Sequence, residues 1–243
     1  MSFPQTISGK PGWEKQTSTS QKHKLGTKMI IQDRVFRYAE AGEAITAGVL
    51  TKGKDGTDAH QVDLAVAAQS VGDTTITLTG SLTITEDQYK DGYIIFNDQG
   101  EAGHMYKIKG NTAVSSATGC VITLDEEDGL ATAITTSQQV GLYENPYKDI
   151  EIMDFNGVDN APVGWAQIDI PSGSYGWVCV NGWTTALIDG TPGPGLPLVQ
   201  SGAVDGSVTI LDSDADAEGA IVGYNGPLAG VNGQYAFIKV NID

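Results

Sequence analysis

Apolar and polar residues alternate with a period of two along most of this chain, in short runs. In residues 71–79, Ile76 and Leu78 alternate with Thr75, Thr77 and Thr79. That spacing sends one set of side chains to a core and the other to water, as in a half-buried strand. Residues 93–96 (Tyr-Ile-Ile-Phe) and 104–109 read as the arms of a hairpin around a turn at 97–100, and 120–124 and 139–143 as further strands. Residues 62–66 fit either a strand or a short helix. One stretch carries a helical signature: in 85–92, Thr85 stands as N-cap with Glu86 and Asp87 in the first turn. No apolar run approaches the about 18 residues that a membrane-spanning helix needs.

A phrase in the C-terminal third occurs twice. Gly173-Ser-Tyr175-Gly-Trp177-Val178-Cys-Val180-Asn181 returns as Gly233-Gln-Tyr235-Ala-Phe237-Ile238-Lys-Val240-Asn241. Each copy is a glycine turn followed by a strand. Tyrosine and the second aromatic, two residues apart, share one face, while Val178 and Ile238 begin the other. Residues 183–189, 208–211 and 220–223 add strands, and the Gly- and Pro-rich stretch 190–197 is a turn that cannot lie inside a sheet. The fold class is therefore all-β, antiparallel and barrel- or sandwich-like, with very little helix.

Residues 1–28 break the pattern. They are rich in Ser, Thr, Gln, Lys, Gly and Pro without apolar periodicity, and read as an extended N-terminal arm. Five lysines against Glu14 give this stretch +4, which leaves −20 on the rest of a chain whose net charge is −16. Such an acidic body argues against nucleic-acid binding, which needs clustered cations. Widely spaced Phe3, Trp13 and Leu25 with Lys10, Lys15, Lys22 and Lys24 make the arm a candidate tether for a partner surface with acidic patches. Beyond the arm, residues 29–59 read as a β segment joining the C-terminal module. Residues 60–148 read as an antiparallel β domain, and 149–243 as a barrel-like module.

Candidate chemistry is sparse. His23, His60 and His104 are scattered, and His104 reads as an ordinary sheet residue with no placed partner for acid–base work. Cys120 and Cys179 sit in strand-like runs and read as buried thiols. No nucleophile elbow, phosphate loop or zinc-binding helix occurs, so neither catalytic nor metal residues are assigned, no cofactor is expected, and the chain does not read as an enzyme. Residues 212–218 carry alternating carboxylates, but Ala217 and Gly223 stand where a calcium loop needs Gly and Glu, so an acidic turn is expected. Residues 125–128 read likewise. Trp165, Tyr175, Trp177, Trp183, Tyr224, Tyr235 and Phe237 are expected to build a β core, with a sugar-binding groove as the rival.

Residues 36–50 (Phe-Arg-Tyr-Ala-Glu-Ala-Gly-Glu-Ala-Ile-Thr-Ala-Gly-Val-Leu) resemble the opening of small β-rich virion proteins that coat tailed-phage capsids. Residues 83–98 and 103–109 are similar to a segment common in phage structural proteins, and the two Tyr-x-aromatic strands fit that class. The likeness covers most of 30–243. It implies a capsid decoration, or cement, protein made in the host cytoplasm: a homotrimer on the outer surface of the icosahedral shell whose partner is the major capsid protein, with no nucleic acid or membrane partner. Alternatives are another virion part (tail tube, head–tail connector or fibre) and a carbohydrate-binding β module. A major capsid protein does not fit, for want of a long amphipathic helix.

Overall fold

The computed structural model describes residues 6–98, 102–154, 161–211 and 220–243. Phe3 and the acidic stretch 212–218 lie outside the described residues, as does part of the turn expected at 97–100. The chain forms two compact units, Met1–Asp55 with Pro146–Asp243, and Gly56–Asn145. Residues 29–55 thus belong to the same unit as the C-terminal strands.

The first unit opens with Thr6–Ser8 (β1), Lys28–Ile31 (β2), Arg34–Glu40 (β3) and Leu50–Lys52 (β4). The chain then forms the second unit: helix Asp58–Gln61 (α1) and strands Leu64–Ala65 (β5), Thr75–Leu78 (β6), Leu82–Ile84 (β7), Tyr93–Asp98 (β8), Met105–Asn111 (β9), Val114–Ala117 (β10), Cys120–Leu124 (β11) and Gln139–Tyr143 (β12). It returns through Glu151–Ile152 (β13), Pro162–Ala166 (β14), Tyr175–Leu187 (β15), Pro197–Gln200 (β16), Val208–Ile210 (β17), Ile221–Asn225 (β18) and Tyr235–Asn241 (β19). The architecture is almost entirely β. The strands that flank the excursion, β4 and β13, pair with each other, Lys52 opposite Glu151.

In the second unit the strand order β5-β12-β8-β9-β11-β6 curls until its ends meet. Val66 bridges Leu78, and the Ala67 and Thr79 N–H groups donate to the Thr77 and Ala65 carbonyls, both at 2.9 Å. The sheet is thereby nearly closed, which leaves little open edge. Alternate residues fill the inside: Ile76, Leu78, Ile94, Phe96, Ile108, Ile122, Val140 and Leu142 are buried in one cluster.

Residues 85–92 are not helical. They form successive turns in which Asp87 and Asp91 take left-handed φ of 56° and 60°. Gln88 caps the Thr85 N–H (3.1 Å), but Asn111 of β9 holds the turn from outside, accepting from the Tyr89 N–H and donating to the Thr85 carbonyl, both at 2.8 Å. Tertiary hydrogen bonds override the capping signal.

In the first unit the strand path is β1-β2-β3-β15-β19-β18-β16-β17, with β14 pairing with β15 and β4 with β14. At its far end β17 comes back to β15: Val208 bridges Ile188 and accepts from the Asp189 N–H at 2.9 Å. Pairing is antiparallel between named strands except for β1 with β2. The strand expected over 183–189 and the first copy of the repeat are one strand, β15. Its first half pairs with β3 and its second half with β19. The two copies of the repeat therefore meet at a single pair, Asn181 opposite Asn241, and the second copy otherwise pairs with the residues that follow the first.

A bulge divides β15. Cys179 pairs with Phe36 and Asn181 with Val35, so one extra residue is accommodated on β15. Gly182 follows with φ +101°, and a Cβ there would lie 2.5 Å from the Asp33 carbonyl oxygen. The bulge reverses which residues face the core. Before it Trp177 and Cys179 belong to the main core cluster; after it Ala186 and Ile188 do. Bulges re-aim side chains in this way, and here the one re-aimed is Trp183.

Within the expected arm, residues 6–28 are not free. Beyond β1, the Gly9 N–H donates to the Ile30 carbonyl, Ser18 bridges Tyr175, and the Gly26 N–H donates to the Tyr38 carbonyl. Glu14, Leu25 and Thr27 are buried. The polar composition suggested an arm that cannot bury enough apolar surface by itself, yet Leu25 enters the core and His23 packs on Tyr38 of β3 and Trp177 of β15.

Candidate interaction surfaces

Chemistry-bearing side chains are dispersed or sequestered. Among the described residues no group of three or more His, Cys, Asp or Glu is placed to hold a metal ion. Both cysteines are buried; burial pushes the Cys120 thiol up and the Cys179 thiol up to about 12, so neither carries thiolate character near neutrality. His60 is buried in α1, with Nδ1 2.6 Å from the Tyr89 hydroxyl. Burial lowers the His60 pKa against the opposing charge of Glu144, and burial first, then Glu144, raises that of Tyr89. This arrangement positions no substrate-facing nucleophile. His104 is exposed beside β9.

The aromatic residues singled out in the sequence divide in two. Trp165 and Trp177 are core residues, and Tyr175 packs against the same cluster. Tyr175 stacks on Tyr38 at a centroid distance of 5.9 Å, Trp177 meets Tyr38 edge-on at 5.0 Å, and His23 closes the group at 5.1 Å from Tyr38 and 5.4 Å from Trp177. The chain at 18–26 straps over these rings. The Lys22 N–H donates to the Tyr38 hydroxyl at 3.0 Å, with the Ser18 hydroxyl 3.4 Å from the same oxygen. Burial first, then the hydrogen bond to Glu40, pushes the Tyr175 phenol up to about 12.

The strap and the residues that lead into it, 10–26 together, present charge. Lys10, Lys15, Lys22 and Lys24 are exposed, and Trp13, in a single 3-10 turn, is 38% exposed. Glu14, the one acid in this stretch, is turned inward. Its carboxylate accepts from the Gly12 N–H at 2.7 Å and from Arg34 at 3.1 Å. Burial works to raise its pKa, but the backbone hydrogen bonds and Arg34 prevail and hold it below the usual carboxylate range. Lys28 stands apart: it pairs with Asp243 at 3.3 Å beside Arg37, which binds the same carboxylate. Leu25, expected as a contact, is instead a core residue and unavailable to a partner.

The remaining aromatics form an outward face. On β19, Tyr235, Phe237 and Lys239 are exposed while Ile238 and Val240 are fully buried. Across the ladders, Trp183 of β15 lies opposite Lys239, Thr185 opposite Phe237, and Tyr224 of β18 also opposite Lys239. Tyr224, Tyr235 and Phe237 leave 45, 53 and 52% of their surface uncovered, and Ile221 on β18 leaves 47%. Trp183 and Phe237 stack in parallel, centroids 4.5 Å apart and planes 7° apart. The Tyr235 ring lies over Gly48, where an added Cβ would meet it at 2.7 Å. Neither a wholly buried core nor a uniform groove describes these aromatics. The alternation in β19 foretold its two-faced character; the outward turn of Trp183 depends on the bulge and carried no sequence signal.

The chain matches no protein-family model, no curated protein and no solved structure.

Proposed function

We propose that the protein is a non-enzymatic coat component of a tailed-bacteriophage virion: a decoration protein that self-associates as a homotrimer and binds the outer surface of the icosahedral shell through the major capsid protein. The observation that carries this reading is the ordered basic strap on a chain of net charge −16. Four lysines and Trp13 are exposed on it, while Arg34 neutralises Glu14. A positive surface fixed on an acidic body is suited to steering toward acidic patches on a partner and to fixing orientation there. Each contact is shallow, and repetition around a symmetric oligomer supplies the avidity. The likeness of residues 36–50 to phage coat proteins supports the same reading.

The test is co-sedimentation with expanded, undecorated shells of the phage that encodes the protein. Wild type binds at saturable stoichiometry, and binding weakens with rising salt, because exposed charges are screened over about 8–10 Å at physiological ionic strength. The combined variant Lys10→Glu, Lys15→Glu, Lys22→Glu, Lys24→Glu keeps its fold and loses most of its occupancy. Full occupancy by that variant, or no binding by wild type, overturns the proposal.

A further inference from the structure

The repeat offers an internal comparison. In its first copy the Tyr175–Trp177 side of the strand turns to the main core and is closed by the chain at 18–26; in its second copy Ile238 and Val240 take the core side and the Tyr235–Phe237 side is left open. We propose that a second copy of this chain covers the open face, so that Trp183, Tyr224, Tyr235 and Phe237 form the centre of the contact between protomers.

Charge selects this occupant. Two chains of net charge −16 repel each other over most of their surfaces. The outward positions paired across β15, β19 and β18 are Trp183, Thr185, Leu187, Tyr235, Phe237, Lys239, Asn241 and Tyr224, and none is a carboxylate. Here two acidic chains can approach without opposing carboxylates, and Lys239 of one copy can rest on aromatic rings of the other. Composition agrees, because tryptophan and tyrosine dominate the energetic centres of protein interfaces. Area agrees as well. Tyr224, Tyr235 and Phe237, about 200 Å² each and about half uncovered, together with the less exposed Trp183 offer roughly 350 Å². That is roughly half of the about 800 Å² that one partner buries in a stable interface, and polar residues around the patch would supply the rest.

The inference rests on the reading of the protein as a self-associating coat component and names the surface that does it. Its test needs no shells, so the two can fail separately. Solution mass is measured by light scattering over a range of concentrations for wild type, Phe237→Glu, Lys239→Glu and the control Val71→Glu, an exposed position in the other unit. Wild type and the control form a discrete oligomer, and Phe237→Glu and Lys239→Glu weaken assembly more than about tenfold. Circular dichroism establishes that each variant is folded, and Lys239→Glu, which alters only an exposed tip, keeps the test decisive if Phe237→Glu misfolds. A monomeric wild type at every concentration overturns the inference, as does an oligomer that both face variants leave intact. Monomeric wild type retained on cellulose or chitin, with Phe237→Glu passing through, overturns it in favour of a glycan platform. An oligomer dispersed by the face variants, but no binding to shells, sinks the coat reading alone.

Discussion

Trp183 and Phe237, on neighbouring strands, stack in parallel at 4.5 Å on the open face of the first unit. They do so because the bulge after Cys179 turns Trp183 outward, to the side on which β19 alternation places Phe237. Phe237→Ala removes the stack and costs about 1 kcal/mol of stability. Urea unfolding at fixed protein concentration, followed by tryptophan fluorescence, measures it; an unchanged midpoint contradicts the pairing.

Gly182 sustains that geometry. Its φ of +101° and the Asp33 carbonyl 2.5 Å from the Cβ position leave no room for a side chain. Gly182→Val costs more than about 2 kcal/mol, combining backbone strain with a steric clash. Thermal denaturation reports the loss, and a melting temperature equal to wild type would show that β15 is built differently.

Removing residues 1–27 takes away more than a tether. It deletes β1, buried Leu25 and the strap over Tyr38 and Trp177. Uncovering rings that size costs roughly 1.5–3 kcal/mol each, so the truncated protein unfolds at lower temperature and exposes Trp177 to iodide quenching. A truncation as stable as wild type contradicts the strap. Shell binding is for that reason tested by charge reversal, which leaves the cover in place.

His60 makes the second unit sensitive to acid. Burial depresses its pKa, Glu144 opposes that shift, and the Tyr89 hydroxyl sits at Nδ1. The unfolded chain, with a histidine pKa of about 6.5, takes up its proton first as pH falls. Stability is therefore full above that value and declines from there down toward the depressed folded pKa. Hydrogen exchange of the 57–61 amides should speed up on going from roughly pH 7.5 to roughly pH 5 beyond the intrinsic pH effect, and His60→Gln should flatten the change. Equal protection at both values contradicts the burial argument.

Much of the fold was legible in the alternation. The hairpin of β8 and β9 and the strands β11 and β12 follow from period-two runs, because such runs satisfy pleat and core together. What escaped depended on distant partners. Residues 85–92 carry a helix cap, but Asn111 holds them as turns. The strap looks disordered until Tyr38 and Trp177 are placed beneath it. The continuity of β15 through Gly182, and with it the outward Trp183, is decided by the opposing Asp33–Val35 backbone rather than by any local preference. Of the candidate contact residues, Lys10, Lys15, Lys22, Lys24 and Trp13 stand exposed and Leu25 does not, while the aromatic face needed the register.

The most direct measurement is a cryo-EM reconstruction of expanded, undecorated shells incubated with the purified protein. Added density at symmetry-related positions on the outer surface, with the Lys10–Lys24 segment against the shell and the Trp183–Phe237 faces turned toward one another, is the result this account expects. Shells without added density, or density in which the strap faces solvent, would contradict it.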